Sequence, residues 1–201
     1  MSVVARPRLV ASGEGDDSPE DELLVGLRAG RLEALAAAFD RWQGRVRVLA
    51  RRLLSDAAAA EDVVQEVFTA LPRAARGFRG EVALGTFVLA IAVKRARHHQ
   101  RAAQRRRAAL DRLTVTEPPR PRDPEQDAYR RELGRRLEQA LDRLPHDQRV
   151  AFVLCEIEEL SSGEAAVVAA VPETTVRTRL FHARRRLRDL LAGELAEERG
   201  P

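Results

Sequence analysis

The sequence predicts an all-α chain of two small helical domains joined by a flexible, proline-rich linker. Three observations lead there. Apolar residues recur at spacings of three and four along most of the 201 residues, the period of an amphipathic helix. No stretch of useful length alternates polar and apolar as a half-buried strand would, and there is no internal repeat. Residues 114–127 hold Pro118, Pro119, Pro121 and Pro124 among charges without any periodicity, which is linker composition.

Each element has a local reason. Residues 1–17 are expected to be flexible. Ser18-Pro19-Glu20-Asp21 is a helix start, with Ser18 as cap and Pro19 in the first turn, and a short helix runs to about Gly30. A longer helix follows, with Leu32, Leu35, Phe39, Trp42, Val46, Leu49 and Leu53 on one face. Ser55-Asp56 breaks it and caps the next, in which Val63, Val64, Val67, Phe68 and Leu71 point to a core. Pro72 and Gly77-Phe78-Arg79-Gly80 interrupt regularity. A further helix is predicted from Gly85-Thr86 to about Leu113, apolar at first and basic from Lys94 onward.

Past the linker everything reads as helix. Leu133, Leu137, Leu141 and Leu144 form one stripe, and Pro145 opens a second helix bearing Val150, Val153, Leu154 and Ile157. Ser161 or Ser162 caps a short helix from Glu164 to Ala170. Val171-Pro172 then starts the last, with Val176, Leu180, Ala183, Leu187 and Leu190 inward. The expected boundaries are a tail 1–19, a first domain 20–113, a linker 114–127, a second domain 128–195 and a tail 196–201.

Several function classes fall away. Cys155 is the single cysteine, so neither an intramolecular disulfide nor a cysteine zinc site is expected. No apolar run approaches the roughly 20 residues that span a bilayer, and residues 1–18 lack the apolar segment of a secretion signal; the expected compartment is the cytosol. His98 and His99 diverge by about 100° on a helix, a poor metal pair. There is no glycine-rich phosphate loop, GxSxG or HExxH, so no enzyme activity, metal or cofactor is expected.

Charge is informative by its placement. Residues 73–113 hold eleven basic and two acidic groups, net +9, and residues 172–188 hold six and one, net +5. Residues 20–72 hold seven basic and nine acidic groups, net −2. Two basic blocks in an otherwise near-neutral chain attract polyanions, above all nucleic acid. The second block lies on a helix-turn-helix: a short helix, a turn at Ala170-Val171-Pro172, and a helix whose outer face carries Thr174, Thr175, Arg177, Thr178, Arg179, His182 and Arg185. Those donors suit base edges and phosphates in a major groove. The first block is the helix from Lys94 to Arg107. Phe78 and Phe87 lie near it and either stack on a base or serve as core. The acidic stripe of Glu61, Asp62, Gln65 and Glu66 suits a basic protein partner, or is a solvated face.

Taken in order, these segments resemble the extracytoplasmic-function sigma factors of bacterial RNA polymerase. Ala60-Glu61-Asp62-Val63-Val64-Gln65-Glu66-Val67-Phe68 is similar to the family's AEDxxQExF signature. Gly77-Phe78-Arg79-Gly80 followed by Gly85-Thr86-Phe87-Val88-Leu89-Ala90-Ile91-Ala92 is similar to its FRG…TWLxxIA segment. Residues 140–149 resemble ALxxLPxxxR, and residues 171–184 resemble VPxGTVxSRLxRAR. The resemblance implies a sigma-two-like bundle and a sigma-four-like helix-turn-helix. It implies that Asp62, Gln65 and Glu66 dock on the β′ clamp helices of core polymerase, with the β flap as a further contact. It implies that Arg79, Lys94, Arg95, Arg97, His98 and Arg101 meet the minus-ten element, and that the helix bearing Thr174 to Arg185 reads the minus-thirty-five element. An anti-sigma factor is the implied inhibitor.

The chain departs from the family pattern at Phe87 for tryptophan, Lys94 for asparagine, Ala170 and Thr174 for glycines, and Gly163 and Ala165 for larger residues. Lysine holds a phosphate but cannot make an amide's paired contacts. Two other readings compete: a stand-alone helix-turn-helix regulator, and a sigma-like adaptor that no longer reads a promoter.

Overall fold

The computed structural model describes residues 19–110 and 136–198. Among these the regular structure is helical: α1 Pro19–Ala29, α2 Leu32–Leu53, α3 Ala57–Ala75, α4 Leu84–Leu110, α5 over 136–142, α6 His146–Phe152, α7 Ser162–Ala169 and α8 Glu173–Glu198. The expected cap Ser18, the linker 114–127 and Leu133 lie outside the described residues.

Helices α1 to α4 form a bundle in which α2, α3 and α4 pack on one another and α1 lies against α2 and α3. Asp56 caps α3, accepting from the backbone N–H of Ala58 at 2.9 Å. The predicted α2 face is buried at Trp42, Val46, Leu49 and Leu53, but Leu32 is 73% exposed. Leu32 is the first residue of α2, separated only by Arg31 from the turn at Gly30, whose φ is +72°. The sequence period extends there, but the packing does not.

Pro72 also behaves differently from the sequence expectation. It lies within α3, which continues to Ala75. The extra turn has a tertiary support: Arg28 of α1 donates to the carbonyls of Ala75 at 3.1 Å and Phe78 at 2.7 Å, satisfying acceptors that a helix end leaves open. Gly85 permits a close approach, because a Cβ there would stand 3.0 Å from the Trp42 indole nitrogen.

In the second half, α6 and α8 pack together, α7 joins α8, and α5 adds Ala140 and Leu141 against Ala183 and Leu187. The helix opened by Pro145 carries a π-helical segment, Val153–Ile157, directly after α6. Periodicity could not show it, because one wide turn only shifts the register. Val153 and Leu154 are fully buried in this segment. The last helix extends three residues past the expected boundary at 195, to Glu198.

The two halves touch. Helix α7 lies along α4, and α6 with the π segment meets α2. Val150, Val153, Ala165, Val168 and Ala169 therefore share one buried cluster with Leu53, Ala92, Val93 and Ala96. Small side chains at Ala165 and Ala169 of α7 and Ala92 and Ala96 of α4 suit close helix packing.

Candidate nucleic-acid interface

The helix-turn-helix is built from strong local signals. Ser161 and Glu164 form a reciprocal capping box at the start of α7. The same bonds, with Ser161 as partner, hold the Glu164 carboxyl below the usual range. The turn places Ala170 in the left-handed region, φ 52° and ψ 49°. The Pro172 carbonyl then accepts from the N–H groups of Thr175 at 2.9 Å and Val176 at 3.2 Å, starting α8. Val176, Leu180, Ala183 and Leu187 are buried as the period predicts.

On the outer face of α8, Thr174, Arg177, Thr178, His182 and Arg185 are exposed, and Thr175 is partly covered. Arg177 pairs with Glu173 one turn back. Arg179 is different: it turns toward α6 and meets the Asp147 carboxylate at 2.5 Å. The predicted recognition face is thus mostly open, with Arg177 paired along its own helix and Arg179 turned to a partner on α6.

The basic run on α4 divides in the same way. Lys94, His98 and Arg101 are exposed, as is Arg79 in the loop before α4. Arg95 lies 3.5 Å from Glu66, and His99 bonds the other oxygen of that carboxylate at 2.9 Å. Arg97 is largely covered by the second half of the chain. It donates to the Ala169 carbonyl at 2.5 Å and stands 3.7 Å from Asp147. Burial lowers its pKa, Asp147 opposes that, and the neighbouring guanidiniums of Arg179 and Arg101 add to it.

The acidic stripe on α3 is likewise two surfaces. Glu61 is held by Arg47 at 3.0 Å and Arg51 at 3.1 Å, and these pairings keep its carboxyl below the usual range. Glu66 faces α4. Asp62 and Gln65 are exposed, and neither side chain makes a hydrogen bond among the described residues. Phe78 and Phe87 pack on each other with ring centroids 4.6 Å apart, and Phe78 is buried, so Phe78 belongs to the core.

No group of three or more metal-ligating side chains occurs among the described residues. Cys155 is half-buried in the π segment, its thiol pushed up by burial and by Glu156.

Sequence reasoning did not find the Arg97–Asp147–Arg179 convergence, and it marked Arg149 only as the last residue of the 140–149 motif, not as a tie between the halves. Arg149 is buried and ties the halves by bonding Asp142 at 3.0 Å and the Leu53 carbonyl at 3.4 Å.

Comparisons with known proteins give the same two parts in the same order. Residues 38–106 match Sigma-70 region 2 and residues 134–187 match Sigma-70, region 4. The RNA polymerase sigma-H factor of Pseudomonas aeruginosa is 32% identical over 174 residues, covering 82% of this chain and 90% of that protein. The ECF RNA polymerase sigma-E factor of Haemophilus influenzae is 33% identical over 173 residues, covering 82% and 91%. Among solved structures, the sigma factor RpoE bound to the anti-sigma factor NepR from Bartonella quintana has a similar fold. Its TM-score is 0.64 at 22% identity, over 80% of this chain and 98% of that one. CnrH in complex with the cytosolic domain of CnrY gives 0.62 at 24% identity, over 87% and 97%.

Proposed function

The chain belongs to the extracytoplasmic-function sigma factors of the sigma-70 family, and from that premise we propose how its residues divide the work. As a sigma factor it binds core RNA polymerase and directs promoter-specific initiation. Asp62 and Gln65, exposed and without side-chain partners among the described residues, lead the docking on the β′ clamp helices, with Glu66 at the edge of that contact. Lys94, His98, Arg101 and Arg79 face the minus-ten element first, and Arg95 and Arg97 join once their internal acidic partners release them. The α8 helix reads the minus-thirty-five element through Thr174, Thr175, Arg177, Thr178, Arg179, His182 and Arg185, while the domain that bears it meets the β flap.

The observation that carries this reading is the pairing of an open, donor-rich recognition helix with the exposed Asp62 and Gln65 about 110 residues earlier, in the order of sigma regions 2 and 4. The chain itself performs no chemistry; it supplies recognition and a place for the unstacked base, whose extrusion costs a few kcal/mol. Lys94 makes its minus-ten contact through charge, so it holds backbone phosphate more than it reads a base. One similar structure is named as a complex with an anti-sigma factor and the other as a complex with the cytosolic domain of CnrY; the first supports a protein inhibitor here. The site of action is the cytoplasm, where polymerase works; no helix among the described residues is long and apolar enough to cross a membrane.

The test is DNA protection by the reconstituted holoenzyme on promoters selected from a random library. Protection of two separated elements, one lost with α8 variants and the other with α4 variants, is the expected result. A single protected element, unaffected by α4 variants, would favour a stand-alone regulator.

A further inference from the structure

Two residues assigned above to different DNA elements converge on one carboxylate. Asp147, in the first turn of α6, holds Arg179 of α8 at 2.5 Å and lies 3.7 Å from Arg97 of α4. The Arg97 guanidinium also donates to the Ala169 carbonyl at the end of α7, a position where a cation is favoured. Arg97 and Arg179 keep only 17% and 25% of their side-chain surface, while Asp147 keeps 48%. The arginines are covered, and the acid between them is accessible.

The closed arrangement cannot serve the promoter. Elements centred ten and thirty-five positions upstream are about 25 base pairs apart, roughly 85 Å along B-form DNA at 3.4 Å per step. Arg97 and Arg179 cannot share a carboxylate and also occupy both elements. Among the described residues the Arg97 Nε and Nη2, both ring nitrogens of His146 and the Arg149 Nε are buried without a hydrogen-bond partner. An interface with such gaps is held by few strong terms, and Asp147 is the anion among three neighbouring cations, Arg97, Arg101 and Arg179.

We propose that Asp147 is an internal competitor for DNA phosphate, whose carboxylate holds Arg97 and Arg179 together and keeps the free chain closed until that contact is broken. This rests on the assignment of α4 and α8 to promoter DNA. A phosphodiester offers the same anionic oxygens as the carboxylate, so DNA binding and closure exclude one another at these two arginines. Without Asp147 the two guanidiniums face each other uncompensated, and the halves separate.

The test uses the full chain with Asp147→Asn and Asp147→Arg. Each is compared with Glu173→Gln, which removes an equal negative charge from an ion pair on Arg177 outside the interdomain contact. Interdomain distance is read by spin labels at Val48 and Asp189, both exposed, in a Cys155→Ser background, and DNA affinity by titration with a 40-base-pair duplex. The two Asp147 variants are expected to lengthen the distance. Asp147→Asn is expected to bind the duplex about tenfold more tightly than Glu173→Gln. An unchanged distance, with DNA affinity equal to that of Glu173→Gln, would overturn the proposal. Circular dichroism on each protein separates opening from unfolding, and Arg97→Met, which removes the α4 side of the contact, must also lengthen the distance or the proposal fails. Binding of the wild-type chain to core polymerase is measured separately: its absence, with the Asp147 result intact, overturns the sigma assignment and leaves the lock standing.

Discussion

Glu66 of α3 accepts a hydrogen bond from His99 of α4 at 2.9 Å, while Arg95 approaches its second oxygen at 3.5 Å. One side chain therefore joins the helix assigned to polymerase docking to the helix assigned to the minus-ten element. Asp62, one turn earlier, has no such tie. Asp62→Arg is expected to weaken core binding at least tenfold, about 1.4 kcal/mol, because it places a cation on the open part of the patch. Glu66→Gln is expected to cost less than that, and to lower fold stability by under about 1 kcal/mol, since the pair is partly exposed. Competition binding to core polymerase and thermal melting check both. A larger loss for Glu66→Gln would move the docking centre to Glu66.

Ala170 adopts φ 52° at the C-terminus of α7, where glycine carries no steric cost. Ala170→Gly is expected to leave stability unchanged or raise it by up to about 1 kcal/mol, the relief of strain being offset in part by a more flexible unfolded chain. Melting temperature is the readout. A clear fall would contradict the left-handed turn.

Arg177 and Arg179 lie on the same helix but in different states. Arg177→Ala is expected to cost about 1–3 kcal/mol of discrimination between promoters if it contacts a base edge, and an equal loss on all sequences would mark a phosphate contact. For Arg179→Ala, the same measurement carries a second signature: the loss of DNA affinity is smaller in the free chain than in holoenzyme, because Asp147 already occupies Arg179 in the free chain.

His146 lies beneath the interdomain contact. Burial first, and then Arg149, push its pKa down to about 4, with Arg97 and Arg101 of α4 adding to the effect and Asp147 opposing it. Arg179 of α8 reaches the same spot through Asp147. Its value in the unfolded chain is near 6.5, so the fold holds the neutral form. The stability this gives is fully present above about pH 6.5 and is lost as pH falls toward 4. At pH 5 the loss is on the order of 2 kcal/mol. His146→Gln removes the titration, so the wild type is expected to lose more stability than the variant between pH 7 and pH 5. Parallel losses would contradict the buried neutral imidazole.

Much of the fold was legible because local chemistry agrees with tertiary packing. Asp56, the Ser161-Ser162 pair and Pro172 mark helix starts in the sequence and lie at them in the structure, where Ser161 is the cap. The inward faces of α3 and α8 follow from spacing. What was not legible depends on contacts between distant residues. Pro72 stays inside α3 because Arg28, 44 positions earlier, caps the following turn. Leu32 obeys the period of α2 but lies where the bundle does not reach. At the site, sequence pattern identified the basic and acidic faces but not how they meet. Arg97 and Asp147 are 50 positions apart, and nothing in the spacing on either helix says that these two polar faces pair.

The most direct measurement is co-elution of the full chain with bacterial core RNA polymerase in competition with a housekeeping sigma factor. The predicted result is stoichiometric binding that the competitor displaces and that Asp62→Arg weakens. Failure of the folded chain to bind core at all would contradict it, leaving Asp62 and Gln65 without a partner and the α8 helix as part of a stand-alone DNA-binding protein.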